Sequence, residues 1–141
     1  NRSVIMEDRH LFKAMMKDNQ EWARGSLVYT FTGIPCIVTE YDHIMNFISM
    51  HEVDQSTICQ CTDLKDKNGK LIWENDIVRD EHGNFYKAFW QNNYYQFSWI
   101  CVKSDVLIGA KLDLWDFKSF EIEVIGNIFD NKDLLEKEFF E

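Results

Sequence analysis

Thr62-Asp63-Leu64-Lys65-Asp66-Lys67-Asn68-Gly69-Lys70-Leu71-Ile72-Trp73-Glu74-Asn75-Asp76-Ile77-Val78 sets two short apolar runs on either side of a turn. Asn-Gly suits both central positions of a type I′ turn, where φ is above zero, and that turn links antiparallel strands with little splay. Cys59 to Leu64 and Leu71-Ile72-Trp73 are therefore predicted to pair as a hairpin around Asn68-Gly69. Asp76-Ile77-Val78-Arg79 opens a further strand.

Downstream, breaks at His82-Gly83-Asn84 and Gln91-Asn92-Asn93 separate runs with a period of two. Phe85, Lys87 and Phe89 share one face, and Tyr86, Ala88 and Trp90 share the other. In Tyr94 to Cys101, the set Tyr95, Phe97, Trp99 and Cys101 opposes Tyr94, Gln96, Ser98 and Ile100. Short aromatic strands with tight turns curl into a small closed barrel. Residues 103–118 are less regular, and Trp115 and Phe117 predict a segment that buries them across the barrel. Phe120 to Ile125 reads as a last strand, since Phe120, Ile122 and Val124 alternate with Glu121 and Glu123. After Gly126-Asn127, Asp130 or Asn131 caps a short C-terminal helix with Leu134, Leu135 and Phe139 on one face.

Upstream the chain also reads as β. Lys17-Asp18-Asn19-Gln20 is a turn between Leu11 to Met16 and Trp22 to Phe31, and Cys36-Ile37-Val38 is a strand. Asp54 suits the cap of a single helical turn over Gln55-Ser56-Thr57. The organisation predicted is one domain over 1–141, with an N-terminal β portion (1–62) and a barrel-like portion with the C-terminal helix (63–141).

The 141 residues suffice for one core, and 15% aromatic content with a single proline favours sheet. No apolar run approaches the roughly 20 residues of a membrane helix, and the start lacks the order of a secretory signal. The expectation is a cytoplasmic protein of a bacterial host cell, without membrane contact. Cys36, Cys59, Cys61 and Cys101 lie in apolar or strand-like segments, as reduced buried thiols do, so no structural disulfide is expected.

The net charge of −9 is unevenly spread: −3 over residues 1–62, −1 over 63–118 and −5 over 119–141. Nucleic-acid binding rests on neutralising phosphates, so direct binding is not expected. Lys65, Lys67 and Lys70 read as solvated turn residues.

Candidate chemistry is thin. Cys59 and Cys61 share a strand face with only His51 and Cys36 as further ligands, and the paired C-x₂₋₄-C spacing of structural zinc is missing. Packing thiols is the better reading, so no metal and no cofactor are expected. No nucleophile elbow, zincin helix, Walker A or G-x-G-x-x-G loop occurs. His10, His43, His51 and His82 sit in polar or turn-like contexts, where solvated histidine is the default. Glu74, Asp76, Asp80 and Glu81 crowd the start of the barrel; burial can split the pKa values of such carboxylates, but a solvated acidic edge is the better reading. Asp76 is the exception, read as bonding backbone amides of the Asp63 to Asn68 loop. No catalytic residue is assigned.

Tyr94, Tyr95, Phe97, Trp99, Phe85, Phe89 and Trp90 exceed what one inner face holds. Either a second layer, the N-terminal part, covers the other face, or an aromatic patch is exposed as an interface.

The quoted stretch, with Val124-Ile125-Gly126-Asn127-Ile128-Phe129-Asp130-Asn131 and with Phe12, Lys17-Asp18-Asn19, Trp22 and Gly25, resembles the YopX family of phage and prophage proteins. The resemblance covers most of the chain, apart from about Gly33 to Asp54. It implies an SH3-like barrel in the second part, and it brings no reaction or substrate with it. Asp63 and Asn75 stand where the family pattern has glycine. Asp and Asn enter the left-handed region more cheaply than other side chains, so the turns are expected to persist.

The resulting expectation is a non-enzymatic protein–protein interaction module, a homo-oligomer joined through the Phe85 to Trp99 strands, with a host or phage protein as a further partner. The first alternative is an acidic modulator of a host or phage nucleic-acid-handling protein, occupying a basic surface. A small metal-dependent or hydrolytic enzyme is the second.

Overall fold

The computed structural model describes residues 10–42 and 44–135. Eleven strands and a few 3-10 turns make up the described chain, so it is mainly β. It divides into two compact units, Asn1–Cys61 and Thr62–Glu141.

The first unit contains β1 (Phe12–Met15), β2 (Trp22–Tyr29), β3 (Pro35–Asp42), β4 (Phe47–Glu52) and the start of β5 (Cys59–Lys65). They are antiparallel in the order β4-β3-β2-β1-β5. Ala14, Ala23, Ile37 and Val53 form its core, with Phe12, Met16, Leu27 and Ile58 packed around them. Ala14 lies directly opposite Ala23 in the ladder. Gly25 lies opposite Phe12, and a Cβ there would come 2.0 Å from the Val38 carbonyl oxygen. The stretch that matched no pattern is the β3–β4 hairpin. Asp54 caps the 3-10 turn Gln55–Thr57 as expected, accepting from Ser56 N at 3.0 Å. The Thr57 hydroxyl accepts from Met15 N at 2.8 Å, which fastens that turn to β1.

In the second unit the remainder of β5 pairs with β6 (Leu71–Trp73), while β7 (Asp76–Asp80), β8 (Phe85–Gln91), β9 (Gln96–Lys103), β10 (Lys111–Asp113) and β11 (Ile122–Asn127) form an antiparallel sheet in the order β10-β9-β8-β7-β11. On one face Val78, Tyr86, Ala88, Trp99, Cys101 and Ile122 pack with Ile72, Leu64, Leu114 and Phe117. The Phe117 ring meets Tyr86 edge-on at 4.9 Å and Trp99 at 6.3 Å. On the other face Ile77, Phe85, Ile100 and Val102 take Ile128, Leu134 and Leu135. Both faces of this sheet are thus covered within the unit, the second by residues 128–135, while Trp90, Tyr94 and Tyr95 of the aromatic surplus are exposed.

The expected SH3-like barrel is not closed. β10 and β11 are the two edges of the sheet. β10 is only three residues long, after which the chain enters the 3-10 turns Leu114–Asp116 and Ser119–Glu121 instead of pairing with β11. Those turns place Phe117 inward but leave Trp115 and Phe120 each 71% exposed, against the expectation that Trp115 is buried and Phe120 lies in a strand. The expected C-terminal helix is, in its described part, a 3-10 turn over Lys132–Leu134, and Phe139 lies outside the described residues. Asn131 does not cap it through its side chain; its Oδ1 accepts from Asn127 N at 3.1 Å instead.

Three hairpins share one turn design. In Thr30–Ile34, Asp66–Lys70 and Asp80–Asn84 the first residue's carbonyl accepts from the glycine three positions on, and its N–H donates to the carbonyl of the fifth residue. The first side chain also accepts from the fifth residue's N–H, at 3.0, 2.9 and 2.9 Å. Gly33, Gly69 and Gly83 have φ of 86°, 78° and 84°. This is a right-handed turn closed by one left-handed residue, so the type I′ assignment at Asn68-Gly69 is corrected: Asn68 is not at positive φ. The reason is Asp66, whose carboxylate gathers the Asn68 and Lys70 amides and so fixes the other turn. Gly69→Ala is expected to lower stability by about 1 kcal/mol. Asn68→Ala loses only an exposed bond to Glu123 and is expected to cost less than about 0.5 kcal/mol, both read from denaturation midpoints.

Asp63 and Asn75 have φ of 69° and 70°, as their places in the family pattern imply. Asp63→Gly and Asn75→Gly are each expected to be neutral or to stabilise by up to about 1 kcal/mol, because glycine removes the left-handed cost. A clear loss of thermal stability at either position would assign its side chain a role of its own.

Candidate interaction sites

The carboxylates singled out by the sequence separate into two kinds. Glu81 is exposed and Glu74 half-buried; Asp80 is buried, against the reading of a solvated edge, and Asp76, read as the exception to that edge, is buried too. Asp76 accepts from Trp73 N at 2.8 Å, closing its own turn. The loop is held by Asp66, which also accepts from Val124 N of β11 at 2.9 Å. Burial works against the Asp66 charge, yet the Val124, Lys70 and Asn68 amides outweigh it and hold the carboxyl below its ordinary pKa. Asp80 is likewise opposed by burial and lowered by Asn84, His82 and the Tyr86 hydroxyl. Burial, then the Asp80 charge, raises the Tyr86 phenol. Asp66 was not singled out in the sequence, although the Asp-x-x-Gly spacing at 66–69 and 80–83 is its signal.

Cys36, Cys59, Cys61 and Cys101 are all buried free thiols. Burial raises the Cys101 pKa, away from a reactive thiolate. Among the described residues no three of His, Cys, Asp and Glu come together as metal ligands. One Ser–His pair forms among the described residues, Ser49 Oγ to His51 Nε2 at 3.2 Å on β4. Among the described residues no third group orients His51, as a triad requires. His10 and His82 are exposed, and His43 lies outside the described residues.

Two surface features remain. In the first unit, Tyr41 on β3 lies opposite Ile48 on β4, and Met50 follows on the same face. The three are 61%, 55% and 49% exposed, and Ile44 and Met45 at the hairpin tip are exposed too. The facing set, with Ile37 opposite His51, points to the core. An apolar stripe therefore lies on the solvent face beside β4, an edge strand. In the second unit a cleft of about 450 Å³ lies between the β8–β9 tip, β10 and the 3-10 turn after it. Tyr94 and Trp115 stand at it, together with Gln91, Gln96, Asp113 and Asp116. Of the Phe85 to Trp99 strands only their tip is strongly exposed, since Tyr86 and Trp99 are buried. No helix among the described residues is long and apolar enough to cross a membrane.

No curated protein matches the chain. Comparison with protein families matches residues 11–136 to YopX, described as YopX protein. That span takes in every motif-bearing turn described above, from Lys17-Asp18-Asn19 through the Asp66 loop to Gly126-Asn127, and by it this chain belongs to the YopX family.

Proposed function

We propose that the chain is a non-catalytic, phage- or prophage-encoded interaction module of the bacterial cytoplasm that assembles with copies of itself along the outer edge of β4. The stripe of Tyr41, Ile48 and Met50 beside that edge carries this reading. An edge strand presents unpaired N–H and C=O groups, and proteins that stay monomeric blunt it with lysine, proline or cover. β4 has neither lysine nor proline, and its ionisable groups are His51 and Glu52 at one end. There Lys17 N donates to the Glu52 carbonyl and Lys17 pairs with its carboxylate, so the open part of the edge is the Ile48 to Met50 stretch. Two β4 strands pairing antiparallel meet about a two-fold axis, bringing Ile48 and Met50 of each copy together without a block of like charge. Against catalysis stand the carboxylates, whose depressed pKa values follow from backbone amides, and the cysteines, which are buried.

Light scattering at about 50 µM, where micromolar self-affinity shows, is expected to give a dimer or larger. Met50→Lys and Ile48→Lys are expected to give a monomer that stays folded by circular dichroism and whose denaturation midpoint, unlike the parent's, does not rise with protein concentration. A wild-type monomer at that concentration overturns self-association, and a dimer that survives both substitutions overturns the β4 edge.

A further inference from the structure

The cleft of the second unit has a composition that the self-association reading does not use. Its volume of about 450 Å³ lies in the range that holds small ligands. Tyr94 and Trp115 are 68% and 71% exposed, while Tyr86 and Trp99, the large aromatics of the sheet face, are buried. Two solvated rings at one concavity are surfaces for stacking.

The polar groups beneath them are held in place. The Ser98 hydroxyl donates to Gln91 Oε1 at 3.0 Å, and Gln96 Nε2 donates to Ser98 Oγ at 3.3 Å and to Asp113 Oδ1 at 2.8 Å. Asp116 Oδ2 accepts from Asp113 N at 2.8 Å, which fixes the turn carrying Trp115. This arrangement leaves the Gln91 amide N–H₂ as a donor and Gln96 Oε1 as an acceptor, neither with a partner among the described residues. Lys111 adds a donor, and the two aspartates add acceptors.

Two carboxylates and a net charge of −9 disfavour a phosphate or other anion. Lys111 offsets one of the two carboxylates, which weakens the pull on a cation. A neutral hydroxyl both donates and accepts, and a pyranose ring offers a C–H face to an aromatic plate and a rim of hydroxyls to amides and carboxylates. From this combination we propose that the cleft binds a neutral saccharide, one or two rings long, with Tyr94 and Trp115 as stacking platforms and Gln91, Gln96, Asp113 and Asp116 reading its hydroxyls.

The test uses the whole chain, ¹⁵N-labelled, titrated with cellobiose, maltose and N,N′-diacetylchitobiose, with adenosine and uridine as non-saccharide controls. At least one disaccharide is expected to saturate below about 10 mM, with shifts confined to residues 91–96 and 111–116. Trp115→Ala is expected to weaken that binding at least tenfold, while Phe120→Ala, an equally exposed ring that does not line the cleft, leaves it unchanged. Circular dichroism confirms that both variants are folded, and Trp115→Phe, which keeps a ring, is expected to recover most of the affinity. No saturation by any disaccharide, shifts elsewhere, equal or tighter binding of a nucleoside, or a Trp115→Ala variant that binds as well as the parent would each overturn the assignment.

Discussion

Gly25→Ala is expected to destabilise the N-terminal unit by about 3 kcal/mol or more, the size of a severe core disruption. The new Cβ would sit 2.0 Å from the Val38 oxygen and 2.9 Å from its carbonyl carbon. Both atoms are backbone, on the strand neighbouring β2. No rotamer relieves the overlap, and β2 and β3 must separate where Ser26 pairs with Val38. Gly126 makes the comparison: a Cβ there would meet Asn131 Oδ1 at 2.4 Å, but that atom belongs to a side chain that can swing away from Asn127 N. Gly126→Ala is therefore expected to cost about 1–2 kcal/mol. Urea denaturation of the two variants ranks them, and a Gly25→Ala midpoint close to the parent's would refute the close approach.

Asp66→Ala is expected to cost about 2–4 kcal/mol, because it removes one charged acceptor from the Asn68, Lys70 and Val124 amides at once; the Asn68 and Lys70 amides lie on exposed turn residues, where water takes its place. Asp66→Asn retains an acceptor oxygen and is expected to lose less. The same carboxylate makes stability depend on pH. Its folded pKa lies below the ordinary 3.8, so its contribution is fully present above that value and is lost as the pH falls through the folded pKa. Asp80 acts with the same sign. Urea midpoints are expected to hold from neutral pH to about 4 and to fall below it. The fall should be shallower in Asp66→Asn; an equal fall in the parent and the variant would detach Asp66 from the effect.

Much of this architecture is legible in local sequence because its cause is local. Asp54 caps the turn it precedes, Asp63 and Asn75 hold left-handed backbone, and the alternation through Phe85 to Cys101 reports two covered faces. What was not legible depends on distant residues. The carboxylate at Asp66 overrode Asn68-Gly69 in choosing the turn, and a partner on β11 fixed its role. Barrel closure depended on how far β10 extends, and three residues carry no period to read. The stripe on β3 and β4 was hidden because Tyr41, Ile48 and Met50 become neighbours only through ladder register, and the cleft because Tyr94 and Trp115 meet through folding.

The Asp66 carboxylate joins two separations along the chain, and this orders events in time. Its bonds to Asn68 and Lys70 close within five residues, on the microsecond scale of hairpin formation. Its bond to Val124 spans 58 residues and waits for the slower search that brings β11 to β7. The early turn presents an oriented acceptor before β11 arrives, so the strand docks onto a prepared receptor. Asp66 thereby works as a latch whose catch is set first and whose bolt slides home last.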